Sequence, residues 1–186
     1  MGRPSLKEQR RAEIVNAFSQ VLAEHGYQGA TILVVAERAG MAPGLVHHYF
    51  ANKSELLSNL LDELVARFRK RVRAKEVGAD ALSAYLDGAV ALDHTSDLVA
   101  ARCWVGVFAE AVREPGLFAQ VRRLLDAEVG AIQSRSKGRL AERDANAVLA
   151  FVIGALVLGA FAPRKTAGFA APALQRLVES LQSKPS

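Results

Sequence analysis

Apolar residues recur at spacings of three and four along almost the whole chain, from Ile14 to Leu181, and nowhere settle into the alternation that a half-buried strand requires. An all-α fold is therefore expected, with glycine and proline marking the breaks. Ser5 and Glu8 carry the signature of a capping box, and Ile14, Val15, Phe18, Val21 and Leu22 form one apolar stripe until Gly26 ends the first helix. Thr31 suits the N-cap of a short second helix whose Ile32, Val35, Ala36 and Ala39 share a face, and Gly40 turns the chain out of it. Pro43 suits the first position of a third short helix ending near Phe50. Asn52 with Glu55 opens a long fourth helix along Leu56, Leu57, Leu60, Leu61, Leu64 and Phe68, running towards Val77 and Gly78. Five more helices are expected at roughly 80 to 93, 98 to 112, 116 to 136, 141 to 162 and 168 to 182, which makes nine.

The 186 residues, 51% of them hydrophobic and 23% charged, suffice for one or two globular domains with a sizeable core. A single cysteine, Cys103, excludes an internal disulfide and a multi-thiolate site, so neither a metal nor a cofactor is expected. The first eleven residues are charged and lack an apolar run, so no secretory signal is read and a cytoplasmic location is expected. Charge divides unevenly along the chain. Residues 1 to 75 hold 12 Lys+Arg against 7 Asp+Glu, an excess of five, whereas residues 76 to 186 hold 12 of each. A basic front suits a polyanionic partner.

Two short helices joined at Gly40 and resting on an amphipathic first helix read as a helix-turn-helix, whose second member enters the DNA major groove. Val46 and Phe50, one turn apart, supply the docking side. The opposite side presents Pro43, Gly44, Leu45, His47 and His48. Gly44 lets the backbone approach closely, Leu45 fits a thymine methyl, and His48 offers a base edge a hydrogen bond.

The run from Thr31 to Leu57, TILVVAERAGMAPGLVHHYFANKSELL, resembles the DNA-binding signature of the TetR family of bacterial transcriptional regulators. That resemblance implies an all-helical homodimer with an N-terminal three-helix DNA-binding domain, residues 1 to 53, and a helical domain, residues 54 to 186, that binds a small effector and dimerises. It makes Thr31 the cap of the second helix and a phosphate contact, and puts Tyr49 and Lys53 at phosphate-binding positions. His47 stands where tyrosine is usual. Ala42 replaces a polar cap worth ~1 kcal/mol, and Leu33 and Leu45 replace polar residues that reach bases or phosphates. Gly2-Arg3-Pro4 reads as a minor-groove arm or a charged tail, and Arg10 and Arg11 as phosphate contacts or solvated positions. Helix rise puts Lys75 ~33 Å from Lys53, so Arg67, Lys70, Arg71, Arg73 and Lys75 read as a solvated face.

Ala145 to Ala162 is a run of 18 residues without a charge. Its Ala and Gly content, Asn146 and the amphipathic company it keeps argue for burial in protein rather than in a membrane, and a helix apolar all round needs cover all round. A second subunit supplies that cover. Phe151, Gly154, Ala155, Leu158 and Gly159, with Leu174, Leu177, Val178 and Leu181 of the last helix, are the expected four-helix dimer interface. Tyr85, Trp104, Phe108, Phe118 and Phe151 are the candidate effector-pocket residues. Cys103 to Gly116 and the helix after it resemble, more loosely, the BetI-like branch, whose namesake senses choline. A quaternary ammonium held by aromatics and Glu110, or an apolar acyl or aromatic ligand, both fit.

His25, His47, His48, His94 and Cys103 form no catalytic constellation, and no H-E-x-x-H, G-x-S-x-G or phosphate-loop pattern is present, so an enzyme is not expected. The function expected is a ligand-released repressor binding a near-palindromic operator as a homodimer. The alternative is a sequence-tolerant structural DNA-binding protein without an effector, with a steep salt response.

Overall fold

The computed structural model describes residues 5–76, 80–90, 95–166 and 169–183. The Gly2-Arg3-Pro4 arm, His94 and the break at Val77 and Gly78 lie outside those residues. Among the described residues there is no strand. Nine helices of seven residues or more and one single turn follow each other as α1 (Leu6–Gly29), α2 (Ile32–Ala39), α3 (Pro43–Tyr49), α4 (Lys53–Lys75), α5 (Ala81–Val90), α6 (Thr95–Ala111), α7 (Pro115–Arg135), α8 (Glu142–Phe161), the turn α9 (Pro163–Thr166) and α10 (Ala170–Gln182).

Local chemistry sets the early boundaries. The Ser5 hydroxyl accepts from the Glu8 N–H at 3.2 Å while the Ser5 N–H donates to the Glu8 carboxylate at 2.7 Å, so the capping box closes. Gly26 does not end α1 as expected. At φ 67° it kinks the helix, and the chain adds one further turn, closed by the Ala30 N–H on the Gly26 carbonyl. The Pro163 segment, expected only to break the chain, winds one turn of its own, which the Thr166 hydroxyl holds by donating to the Ala162 carbonyl at 3.1 Å.

A continuous apolar core runs from the front helices to α10. Its front section joins Ile14, Phe18 and Val21 of α1 to Val35, Val46, Phe50, Leu56 and Leu60, all essentially without solvent exposure. Burying such side chains is worth ~1.5–3 kcal/mol each and fixes α2 and α3 on α1. α6 holds this head to the rest: the Cys103 thiol donates to the Ser19 carbonyl of α1 at 3.2 Å, and Gly106 lies against Leu22. Burial pushes the Cys103 thiol up to about 12, so it stays protonated.

The backbones of α4 and α5 approach closely at Gly88. A Cβ added to Gly88 would stand 2.8 Å from the Val72 Cα, and backbone does not yield cheaply there. Gly88→Ala is expected to destabilise the protein by ~1–3 kcal/mol, read as a melting temperature several degrees lower; an unchanged melt would contradict that contact.

Candidate nucleic-acid interface

The α2–α3 pair is built by its punctuation. Thr31 caps α2, its hydroxyl oxygen accepting from the Val34 N–H at 3.3 Å and leaving the hydroxyl proton free to donate. Gly40, left-handed at φ 64°, ends α2 with its N–H on the Ala36 and Glu37 carbonyls. Pro43 starts α3, and Ala42 ahead of it makes no side-chain cap, as its residue type dictates. Val46 and Phe50 point into the core, so Pro43, Gly44, Leu45, His47 and His48 are all exposed on the outer side. Tyr49 is half-buried with its ring edge-on to His48 at 5.1 Å. Leu33, at the start of α2, is 66% exposed.

Three cations of the head are held by the fold. The Lys53 ammonium donates to the Tyr27 carbonyl at 2.7 Å and lies over the Tyr27 ring at 4.1 Å, which uses one of its three donors and leaves the others available at the start of α4. Arg11 is neither a solvated position nor a free phosphate contact. Its guanidinium donates to the Tyr49 carbonyl, to the Asn59 side-chain oxygen at 3.0 Å and to Glu55 at 3.3 Å, and stacks on Phe50 at 4.1 Å. It thereby ties α1 to the last carbonyls of α3 and to α4. The Ala51 N–H, with Arg11 as a lesser cause, holds the Glu55 carboxyl below its ordinary range. Arg38 pairs with Glu24 at 2.6 Å and so fastens α2 to α1. Spacing within the sequence gives no sign of these ties, because their partners lie 14 to 48 residues away.

Further down α4, the basic face splits. Arg71 reaches the Gly88 carbonyl at 3.4 Å and so serves the packing of α5 on α4, whereas Arg67 pairs with Glu63 along its own helix and stays partly exposed, as a solvated position does. Lys70, Arg73 and Lys75 are exposed.

Behind the head lies an apolar cavity of about 40 Å³ between α4, α5, α6, α7 and α8. Tyr85, Trp104 and Phe108 line it, with Phe68 of α4, and Trp104 stacks on Phe108 at 5.5 Å. Phe118 is half exposed on the surface of α7 and Phe151 sits outside the lining, so neither belongs to this cavity. The acid on the cavity wall is Glu128 rather than Glu110. It is buried, accepts from the Tyr85 hydroxyl at 3.2 Å, and has Arg69 at 3.6 Å. Burial, with Glu128 beside it, pushes the Tyr85 hydroxyl well above the usual phenol range. Phe68, Tyr85 and Glu128 also border a more polar cleft of about 350 Å³ with Arg69, Arg73 and Arg135.

The expected dimer residues divide. Ala155, Gly159, Leu174 and Val178 are buried within this one chain and face its own core, so they are not free for a second subunit. An apolar stripe shows which side of a helix is buried but not whose residues cover it. Gly154 and Leu158 do face outwards, in a file with Ala150 and Phe161 along α8, and Leu158 and Phe161 are 54% and 78% exposed. Phe151, Leu177 and Leu181 are half-buried. By length and composition alone α8 is apolar enough to cross a membrane, and 44% of its apolar window is buried inside the chain.

The family model for bacterial regulatory proteins of the tetR family matches residues 14–60, from the core of α1 into α4. The HTH-type transcriptional regulator BetI of Paraburkholderia phytofirmans is 30% identical over 167 residues, 85% of each chain. Among solved structures, a transcriptional regulator from Rhodococcus sp. Rha1 superposes with a TM-score of 0.82 at 25% identity, over 94% of this chain and 99% of its own. A regulator from Saccharomonospora viridis, solved in complex with choline, shares the fold with a TM-score of 0.72 at 18% identity, over 92% and 96%.

Proposed function

This chain belongs to the TetR family of bacterial regulatory proteins, and on that premise we propose that it is a cytoplasmic, homodimeric repressor that grips a near-palindromic operator and lets go when a small molecule enters its C-terminal domain. The observation that carries the reading is α3. Its Val46 and the adjoining Phe50 are buried while Pro43, Gly44, Leu45, His47 and His48 are exposed, which leaves one side of a firmly docked helix free for a major groove. Thr31, Tyr49 and Lys53 then take phosphates and fix register, whereas the outer side of α3 addresses the bases.

The exposed apolar file of α8 supports a twofold dimer, since Leu158 and Phe161 lose their water only against a partner. Two heads so linked face half-sites one helical turn apart, ~34–36 Å. Release follows from volume. A cavity of about 40 Å³ is far smaller than a metabolite, so an occupant must displace its walls. α6 carries Trp104 and Phe108 on the cavity side and Cys103 and Gly106 on the α1 side, so its displacement reaches the head. The effector acts only through tighter binding to that displaced arrangement. Aromatic walls beside the Glu128 carboxylate suit a quaternary ammonium, and the choline-bound Saccharomonospora viridis regulator supports that class.

The test is to select bound duplexes from random DNA and then to screen metabolites, choline included, for release. One near-palindromic motif bound by a dimer and freed by a metabolite is the expected result. Binding without sequence enrichment would instead assign the chain to sequence-tolerant DNA packaging.

A further inference from the structure

We infer that the base-reading chemistry of α3 is apolar: each operator half-site is recognised through thymine C5-methyl groups, and Leu45 is the residue that sets sequence preference. The inference rests on the DNA-binding reading above. Side chains that discriminate bases by paired hydrogen bonds are arginine or lysine towards guanine and asparagine or glutamine towards adenine. α3, whose sequence is PGLVHHY, contains none of them.

With Val46 buried and Tyr49 half-buried, the outward set is Pro43, Gly44, Leu45, His47 and His48. An imidazole places its two nitrogens on opposite edges and cannot pair both with one base. Among the described residues, the guanidiniums of the head are committed elsewhere, Arg10 to Glu13, Arg11 to the Tyr49 carbonyl and Asn59, and Arg38 to Glu24. Leu45 is therefore the largest apolar group on this face, and it keeps 38% of its surface in water in the free protein. The thymine methyl is the apolar group that a major groove offers to such a side chain.

Gly44 points the same way. Nothing lies within 4 Å of where its Cβ would stand, and its backbone does not require glycine, so the isolated head has room for a side chain there. Glycine weakens a helix relative to alanine. What it gains is closeness: a smooth α3 surface lets Leu45 descend onto the methyl groups.

The test replaces thymines of the selected operator one at a time by deoxyuridine, which removes the methyl and keeps every hydrogen-bonding group. Affinity for the full-length protein is read by fluorescence anisotropy. At one or two positions per half-site the loss is expected to be about fourfold, the worth of one buried methyl group. In Leu45→Ala the thymine and uracil duplexes should bind alike at one of those positions. Lys53→Ala should weaken both duplexes while leaving their ratio at the wild-type value. Sequence-specific binding that no uracil substitution disturbs, or a uracil penalty that survives Leu45→Ala at every position, overturns the methyl reading alone. Absence of any specific binding overturns the regulator reading with it.

Discussion

Leu158→Arg is expected to turn the proposed dimer into monomers and to lower operator affinity at least a hundredfold. Leu158 lies in the exposed apolar file of α8, 54% exposed in the single chain, so the subunit itself loses little from the change. A twofold interface meets the substitution twice. Each guanidinium brought against an apolar face without a partner costs several kcal/mol. The affinity loss follows from linkage: two heads on one dimer raise the effective concentration of the second contact, and severing them forfeits a factor of about 10²–10⁴. Sedimentation velocity reads the oligomer and anisotropy reads the operator. A variant that sediments as a dimer with unimpaired binding would show that α8 faces something else, and Leu158→Met should behave as the parent protein throughout.

Arg11→Ala is expected to loosen α3 and to weaken binding to every duplex by tenfold or more. Arg11 donates to the Tyr49 carbonyl, at the C-terminal end of α3 where a cation is favoured, and the same guanidinium reaches Asn59 and Glu55. Hydrogen bonds to charged groups contribute ~1.5–3 kcal/mol, and the stack on Phe50 adds packing. The salt response separates this role from a phosphate contact. Arg11→Ala should lower affinity and melting temperature at an unchanged salt slope, whereas Lys53→Ala should reduce the slope by about one. A slope change in Arg11→Ala with an unaltered melt would return Arg11 to the DNA surface.

Much of the head was legible because its punctuation is local. Ser5 and Glu8, Thr31, Gly40, Pro43 and Asn52 act within four residues of themselves, and each stands where its chemistry requires. Gly26 shows the limit of such reading: a glycine marks a break, but whether the chain ends there or merely kinks depends on what packs beyond it. The roles of Arg11 and Arg38 depend on partners brought in by folding, so no window of sequence contains them. Among the rear helices, periodicity identified Leu174 and Val178 as covered but assigned the cover to a second subunit, whereas the chain's own helices provide it. Phe118 and Glu128 lie on the same helix α7, one exposed and one against the cavity, a distinction settled by how α7 is rotated on its neighbours.

The chain has a single indole, and it stands on the wall of the apolar cavity that, on the proposed reading, a metabolite prises open. Its emission therefore has no competing source from a second tryptophan. Any molecule that parts Trp104 from Phe108 changes the polarity around that ring, so the protein carries an optical gauge of its own occupancy, readable without a dye or a label.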